Sequence, residues 1–184
     1  MHLPSITDPN IRSHLLFFSA ARDSLASFLE EYTPGRANET QFSSPLIFSA
    51  MRNPDPQNRF EIVQFLVREG ADLTAMTESG ETLFFPLFQA ENHCFAQTEA
   101  LLELLLNAGV SLAVQDVTGR TALHWLVLSS TSDDDLAECY DRIFAIPDLP
   151  FTLEDSWGFS PLSLAQKLPH RKALLARIEQ YLAH

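Results

Sequence analysis

The chain has 184 residues, 46% hydrophobic and 20% charged, with a formal net charge of −12. That length and balance describe one globular domain able to bury a core, with no sign of disorder. The acidity excludes a phosphate-backbone binder, which needs clustered Lys and Arg, and no apolar stretch reaches the roughly 18–20 residues of a membrane span.

The first residues lack a basic segment, an apolar run and a small-residue cleavage site, so no secretory signal is expected. Residues 16–22 read LFFSAAR and residues 46–52 read LIFSAMR, identical at five of seven positions. Ser44-Pro45 before the second reads as a helix N-cap followed by proline at the first helical position. After NPDPQNR (53–59), FEIVQFLV carries apolar residues at helical spacing, and Gly70 suits a left-handed helix terminus. GETLFFPLF starts at Gly80. Its Pro86 removes a backbone donor and predicts a late or distorted helix start. ENHCFAQT (91–98) leads into ALLELLLNAG, which ends at Gly109. GRTALHWLV starts at Gly119, with Thr121 as the N-cap. SSTSDDD (129–135) follows, with Ser132 expected to cap the next helix and its aspartates to sit at the positive helix end. The exit IFAIPDLPFTLED precedes GFSPLSLAQ at Gly158, where Ser160-Pro161 repeats the cap, and RKALLARIEQYLAH closes the chain.

These segments recur. Gly80, Gly119 and Gly158 are 39 residues apart each time, as are Gly70 and Gly109. FLVREGADLTAMTESG (65–80) aligns with LLLNAGVSLAVQDVTG (104–119) at the same offset. Each helix pair is too small to bury its apolar face alone, so neighbouring copies must stack on one another.

The residues resemble the ankyrin repeat, whose pattern is roughly G-x-T-P-L-H-x-A, then a helical pair, then L-L-x-x-G-A-D, over about 33 residues. Gly119, Thr121, Leu123 and His124 match most fully, and the resemblance runs from about residue 11 to 182. It implies an all-α ankyrin-repeat solenoid of about four to five helix pairs, with long loops inside the repeats and terminal caps. The units would be 11–38 as a cap, then 39–76, 77–115, 116–154, and 155–184 as a cap. The period departs from the family: it is 39, and the surplus falls in the loops 53–59, 91–98 and 129–135.

The resemblance also gives His124 a structural task. In such a repeat the Thr and His brace the turn and the neighbouring copy. No nucleophile stands beside His124, Thr121 is accounted for as a cap, and Trp125 falls at a core position. Asp133, Asp134 and Asp135 lack the alternation, Gly and distal Glu of an EF-hand loop. A Gly-rich phosphate loop, HExxH and GxSxG are all missing, and Cys94 is only a sequence neighbour of His93. Cys94 and Cys139 form no CxxC and no Cys/His cluster, which points to a reducing, cytoplasmic setting. The expectation is a protein that is no enzyme, with no catalytic residue, cofactor or metal.

Partner binding is the function the resemblance implies. Residues 69–158 hold 16 acidic and two basic residues, a block of −14, against −1 before it and +3 after it. Such a block suits a basic protein partner steered by the field, or serves only as a solvated surface. Carried over from the family, the turn-tip contacts are Glu78, Ser79 and Glu81, then Val117, Thr118 and Arg120, then Ser156, Trp157 and Phe159. First-helix contacts are Met51 and Arg52, Gln89 and Ala90, Leu128 and Ser129, and Lys167 and Leu168. Asp133, Asp134 and Asp135 would add charge. Two aromatics at one tip suit a binding anchor, unless one ring folds back over the final helix. The expected protein is a monomer when free, bound to another protein and to neither nucleic acid nor membrane. Its expected role is as an inhibitor or immunity protein for a basic, nuclease-like toxin. The alternative is an adaptor or effector scaffold bridging other cellular proteins.

Overall fold

The apolar runs of the sequence become short helices, each hiding one face against its neighbours. The computed structural model describes residues 9–183 and is mainly helical. Ten α-helices are described: α1 (Pro9–Arg22), α2 (Leu25–Glu31), α3 (Leu46–Met51), α4 (Pro56–Arg68), α5 (Phe84–Gln89), α6 (Phe95–Asn107), α7 (Ala122–Leu128), α8 (Ala137–Phe144), α9 (Pro161–Lys167) and α10 (Lys172–Leu182). The sheet among the described residues is one antiparallel hairpin, β1 (Thr40–Gln41) with β2 (Ser44–Pro45), in which Thr40 faces Pro45. No described helix is long and apolar enough to cross a membrane.

The helices form two layers. Odd-numbered helices pack in succession, α1 on α3, α3 on α5, α5 on α7 and α7 on α9. Even-numbered helices do the same, α2 on α4, then α6, α8 and α10. One continuous core runs between the layers from Leu16 to Ile178. This gives each short helix the burial that it lacks alone, since isolated helices under about 12 residues are marginal in water.

Between the layers' helix pairs project three turns of one design, at 77–81, 116–120 and 155–159. In each, the first N–H bonds the last carbonyl: Thr77 to Glu81, Asp116 to Arg120 and Asp155 to Phe159. Gly80, Gly119 and Gly158 turn the corner with φ between 75° and 80°, a conformation that favours glycine. At Gly80 and Gly119 a Cβ would also stand 3.2 Å from the backbone of the next unit, at Gln115 and Ser156, so close stacking further disfavours a side chain there.

Several local readings hold and several change. Ser160 accepts the Ser163 N–H at 3.1 Å, with Pro161 at the first helical position. Ser44 does not cap α3: it sits in β2, Pro45 takes the cap position, and the Ser44 hydroxyl is buried without a partner. The local cap signal loses to the hairpin, in which Ser44 pairs with Gln41 and Pro45 with Thr40. Ser132 accepts the Asp135 N–H in a turn, and α8 starts only at Ala137. Residues 56–59 are the first turn of α4, capped by Asp55, so the loop there is shorter than its composition implies. Helix α5 starts at Phe84, one residue later than the position matching Ala122, with Pro86 in its first turn as its missing donor predicts.

Candidate functional site

The turn tips and the exposed ridge of the odd helices form one edge of the molecule. Backbone bonds stitch the tips together: Val117 N–H donates to Ser79 O at 2.8 Å, and Ser156 N–H to Thr118 O at 2.9 Å. Side chains then fix each turn. The Asp116 carboxylate accepts the N–H groups of Thr118 and Arg120 and the Thr118 hydroxyl. Asp155 accepts the N–H groups of Trp157 and Phe159 and pairs with Arg120 Nε at 3.1 Å. Burial opposes ionisation of Asp155, but the Phe159 N–H, Arg120 and the Trp157 N–H outweigh it and hold its carboxyl below the usual range.

His124 lies beneath this edge and is fully buried. Its Nδ1 accepts the Thr121 N–H at 3.0 Å and stands 3.0 Å from the Thr121 hydroxyl. Its Nε2 is 3.0 Å from Phe159 O, a pure acceptor, so the proton resides on Nε2. Burial lowers its pKa and keeps the ring neutral. Both nitrogens are therefore spent on the helix start and on the next turn. The geometry of the ring is that of a brace between the start of α7 and the next turn.

Among its polar side chains the edge offers two strongly exposed apolar ones to solvent. Trp157 is 59% exposed and Val117 75% exposed. The Arg120 guanidinium lies 4.8 Å from the Trp157 ring and 5.2 Å from the Trp125 ring, which fixes the exposed indole in place. Of the two tip aromatics, Phe159 folds back and is covered by Lys167 Nζ at 4.0 Å, while Trp157 stays out. Glu78 is exposed, Ser79 is half-buried and bonded to Thr77, and Glu81 pairs with Arg52 at 3.0 Å. Ser156 is exposed, and the Thr118 side chain is held by Asp116. Along the odd helices Arg52, Gln89, Leu128 and Lys167 form the exposed ridge. Met51 and Ser129, expected beside them, are buried. One residue's rotation at a helix end decides which of two neighbours faces out, and spacing alone did not fix it.

The charge lies elsewhere. Glu99, Glu103, Glu138 and Asp141 line a groove between α6 and α8, on the even-helix layer, where Arg142 pairs with Glu99 and Arg177 with Asp141. Asp134 and Asp135 stand at its end, near the half-exposed Phe95. Asp133 does not join them. It accepts from Arg171 Nη1 at 3.1 Å, from the Tyr140 hydroxyl, and from the Ala173 and Leu174 N–H groups at the start of α10. Burial opposes its ionisation, and Arg171 with the Leu174 N–H outweighs it, so its pKa is lowered. Among the described residues no group of three or more His, Cys, Asp or Glu is placed to hold a metal ion.

Two buried arginines escaped the sequence reading. Arg171 is fully buried and donates to the carbonyls of Val127 at 2.8 Å, Thr131 at 2.7 Å and Ser129. Arg59 donates to Asn53 O at 3.0 Å and Asn92 O at 2.5 Å. Each fixes a long loop of its own or the neighbouring unit. The only sequence signal is that long, carbonyl-rich loops need donors, and a planar guanidinium supplies several at once. His93 does similar work, bonded to Thr98 Oγ1 at 3.0 Å and Ala90 O at 2.9 Å, and burial lowers its pKa. Burial raises the Cys139 thiol to about 11, so it stays protonated.

No protein-family model matches the chain, and no curated protein matches it. Among solved structures, a protein of unknown function from Leptotrichia buccalis C-1013-b is similar in fold, with a TM-score of 0.77 and 23% identity. The match covers 91% of this chain and 92% of that one.

Proposed function

We propose that this chain is a non-catalytic protein-interaction module of the ankyrin-repeat type, binding a basic protein through its turn-tip edge. The observation that carries the reading is Trp157: an indole 59% exposed, ordered by Arg120, on a turn whose own bonds do not need it. Exposed, preordered aromatics are favoured interface anchors. The ankyrin assignment is supported by the 39-residue glycine spacing, the stacked turns and the Thr121–His124–Phe159 brace. In this role the protein is a cytoplasmic monomer that inhibits its partner, as an immunity protein inhibits a nuclease-like toxin.

The adaptor reading has an observation of its own. The tip edge with its exposed Trp157 and the acidic α6–α8 groove belong to different layers, so two partners of different chemistry could bind at once. Immobilised chain is used to capture its partner, and the purified complex is followed by surface plasmon resonance at two salt concentrations. Trp157→Ala should speed dissociation, at a cost of about 2 kcal/mol or more. Asp134→Lys with Asp135→Lys should slow association and flatten its salt dependence, because exposed charges steer encounter. Asp133 is left intact, since its removal would uncap the start of α10 and leave the buried Arg171 without its carboxylate. A partner indifferent to salt and to all of these changes would sink the reading.

A further inference from the structure

The three turns at 77–81, 116–120 and 155–159 are bonded tip to tip, but among the described residues no backbone bond joins the β1–β2 hairpin to the turn at 77–81. A groove of about 500 Å³ opens there, walled by Phe42, Ser44, Arg52, Glu78, Glu81 and Val117. Its walls carry features with no use inside the fold. Phe42 is 89% exposed, although the hairpin holds it at φ 49° and the next residue, Ser43, at φ 59°. Two successive left-handed residues call for Asn-Gly, and neither is present. The Ser44 hydroxyl is buried without a partner, and Val117 presents a 75% exposed apolar side chain. Arg52 takes up the Glu81 carboxylate, whereas Glu78 is exposed and enters no ion pair among the described residues.

We propose that this groove takes an extended segment of the partner protein, lying between hairpin and turn where the tip-to-tip bond is missing. An apolar side chain of that segment packs between Phe42 and Val117, and a Lys or Arg beside it pairs with Glu78. An extended segment fits because both walls are turn backbones, and a strand offers N–H and C=O groups to each side. The basic residue follows from the local balance, one free carboxylate beside a closed Arg52–Glu81 pair. The inference rests on the protein-binding reading and adds to it a site away from Trp157.

The test uses the full chain and phage-displayed random peptides, followed by synthesis of the enriched sequence. Enriched peptides should carry an apolar residue within two positions of a Lys or Arg. They should shift the amide resonances of residues 40–44 and 77–81. Phe42→Ala should weaken the synthetic peptide by about tenfold or more, a loss typical of an anchor residue. Glu78→Lys should do the same and restore binding to a peptide whose basic residue is exchanged for Glu. Phe42→Asn with Ser43→Gly should abolish peptide binding while raising the melting temperature, because it relieves the left-handed backbone. A lowered melting temperature would make Phe42 part of the folding framework and overturn the proposal. So would a library that enriches nothing, or peptides indifferent to Phe42→Ala and Glu78→Lys. Peptides lost with Trp157→Ala but kept with Phe42→Ala overturn this inference and leave the protein-binding reading standing.

Discussion

The turns at 77–81 and 116–120 share a backbone and differ in what holds it to the rest of the chain. Thr77 and Asp116 stand at the same place, and each accepts the N–H four residues on, at 3.1 Å and 2.9 Å. Thr82 and Thr121 follow at matching positions before α5 and α7, and there the two part. Thr121 meets His124, which reaches onward to Phe159 O. Thr82 meets Phe85 instead, and its hydroxyl is buried without a partner. Phe85 packs against Trp125 at 6.5 Å between ring centroids, and Phe84, Phe85, Leu87 and Phe88 are all buried. One backbone design is thus secured by a hydrogen-bonded brace in one copy and by aromatic packing in the other. The steric rule for the turn resides in glycine and stacking, and the cement is interchangeable.

The comparison breaks most forcibly at Phe85. Phe85→Ala should cost about 3–5 kcal/mol through the cavity it leaves under Trp125, read as a drop in the denaturation midpoint. His124→Ala should cost less, about 1–3 kcal/mol, since it strands a few polar groups in place of a large apolar volume. If the two changes cost the same, the copies are not secured differently.

The two threonines sharpen it further. Thr121→Val removes the hydroxyl beside His124 Nδ1 and should cost about 1 kcal/mol. Thr82→Val removes an unpartnered buried hydroxyl and should raise stability by up to about 1 kcal/mol. Loss of stability at both sites would show that Thr82 has a partner in solution.

The smallest effect is one of pH at His124. Burial pushes the folded pKa of His124 below its ordinary 6.5, so the folded state prefers the neutral ring. Its contribution is complete above that value and declines as pH falls below it, because the unfolded chain then binds the extra proton. His93 titrates with the same sign and remains in a His124→Gln variant. The stability gap between wild type and His124→Gln should therefore narrow from neutral pH to about pH 5. A constant gap would mean that His124 is not held neutral by the fold.

How much of this could be read beforehand depends on how far each partner lies along the chain. The late start of α5 follows from Pro86 alone, and the cap at Ser160 from two adjacent residues, so both were legible. Ser44-Pro45 has the same local look and was misread, because the hairpin that claims it closes onto Thr40. Asp133 looked like part of a solvated run. Apart from Tyr140, its partners are Arg171, Ala173 and Leu174, which lie 38 to 41 residues onward, beyond any local signal. Phe42 carried no repeat signature, so the groove beside it was invisible.

The sequence by itself determined the period and the corners. Gly80, Gly119 and Gly158 adopt φ values that side chains resist, and a 39-residue interval forces copies of one design to stack. Tertiary structure decided which polar groups are spent inside and which are left exposed. It turned Asp133 and Arg171 inward, paired Arg120 with Asp155, left Trp157 and Phe42 outside, and gathered Glu103 and Glu138 with the paired Glu99 and Asp141 on the even-helix layer. The reason is range: a backbone angle is fixed by its own residue and its neighbours, whereas desolvation and pairing depend on what a different copy brings alongside.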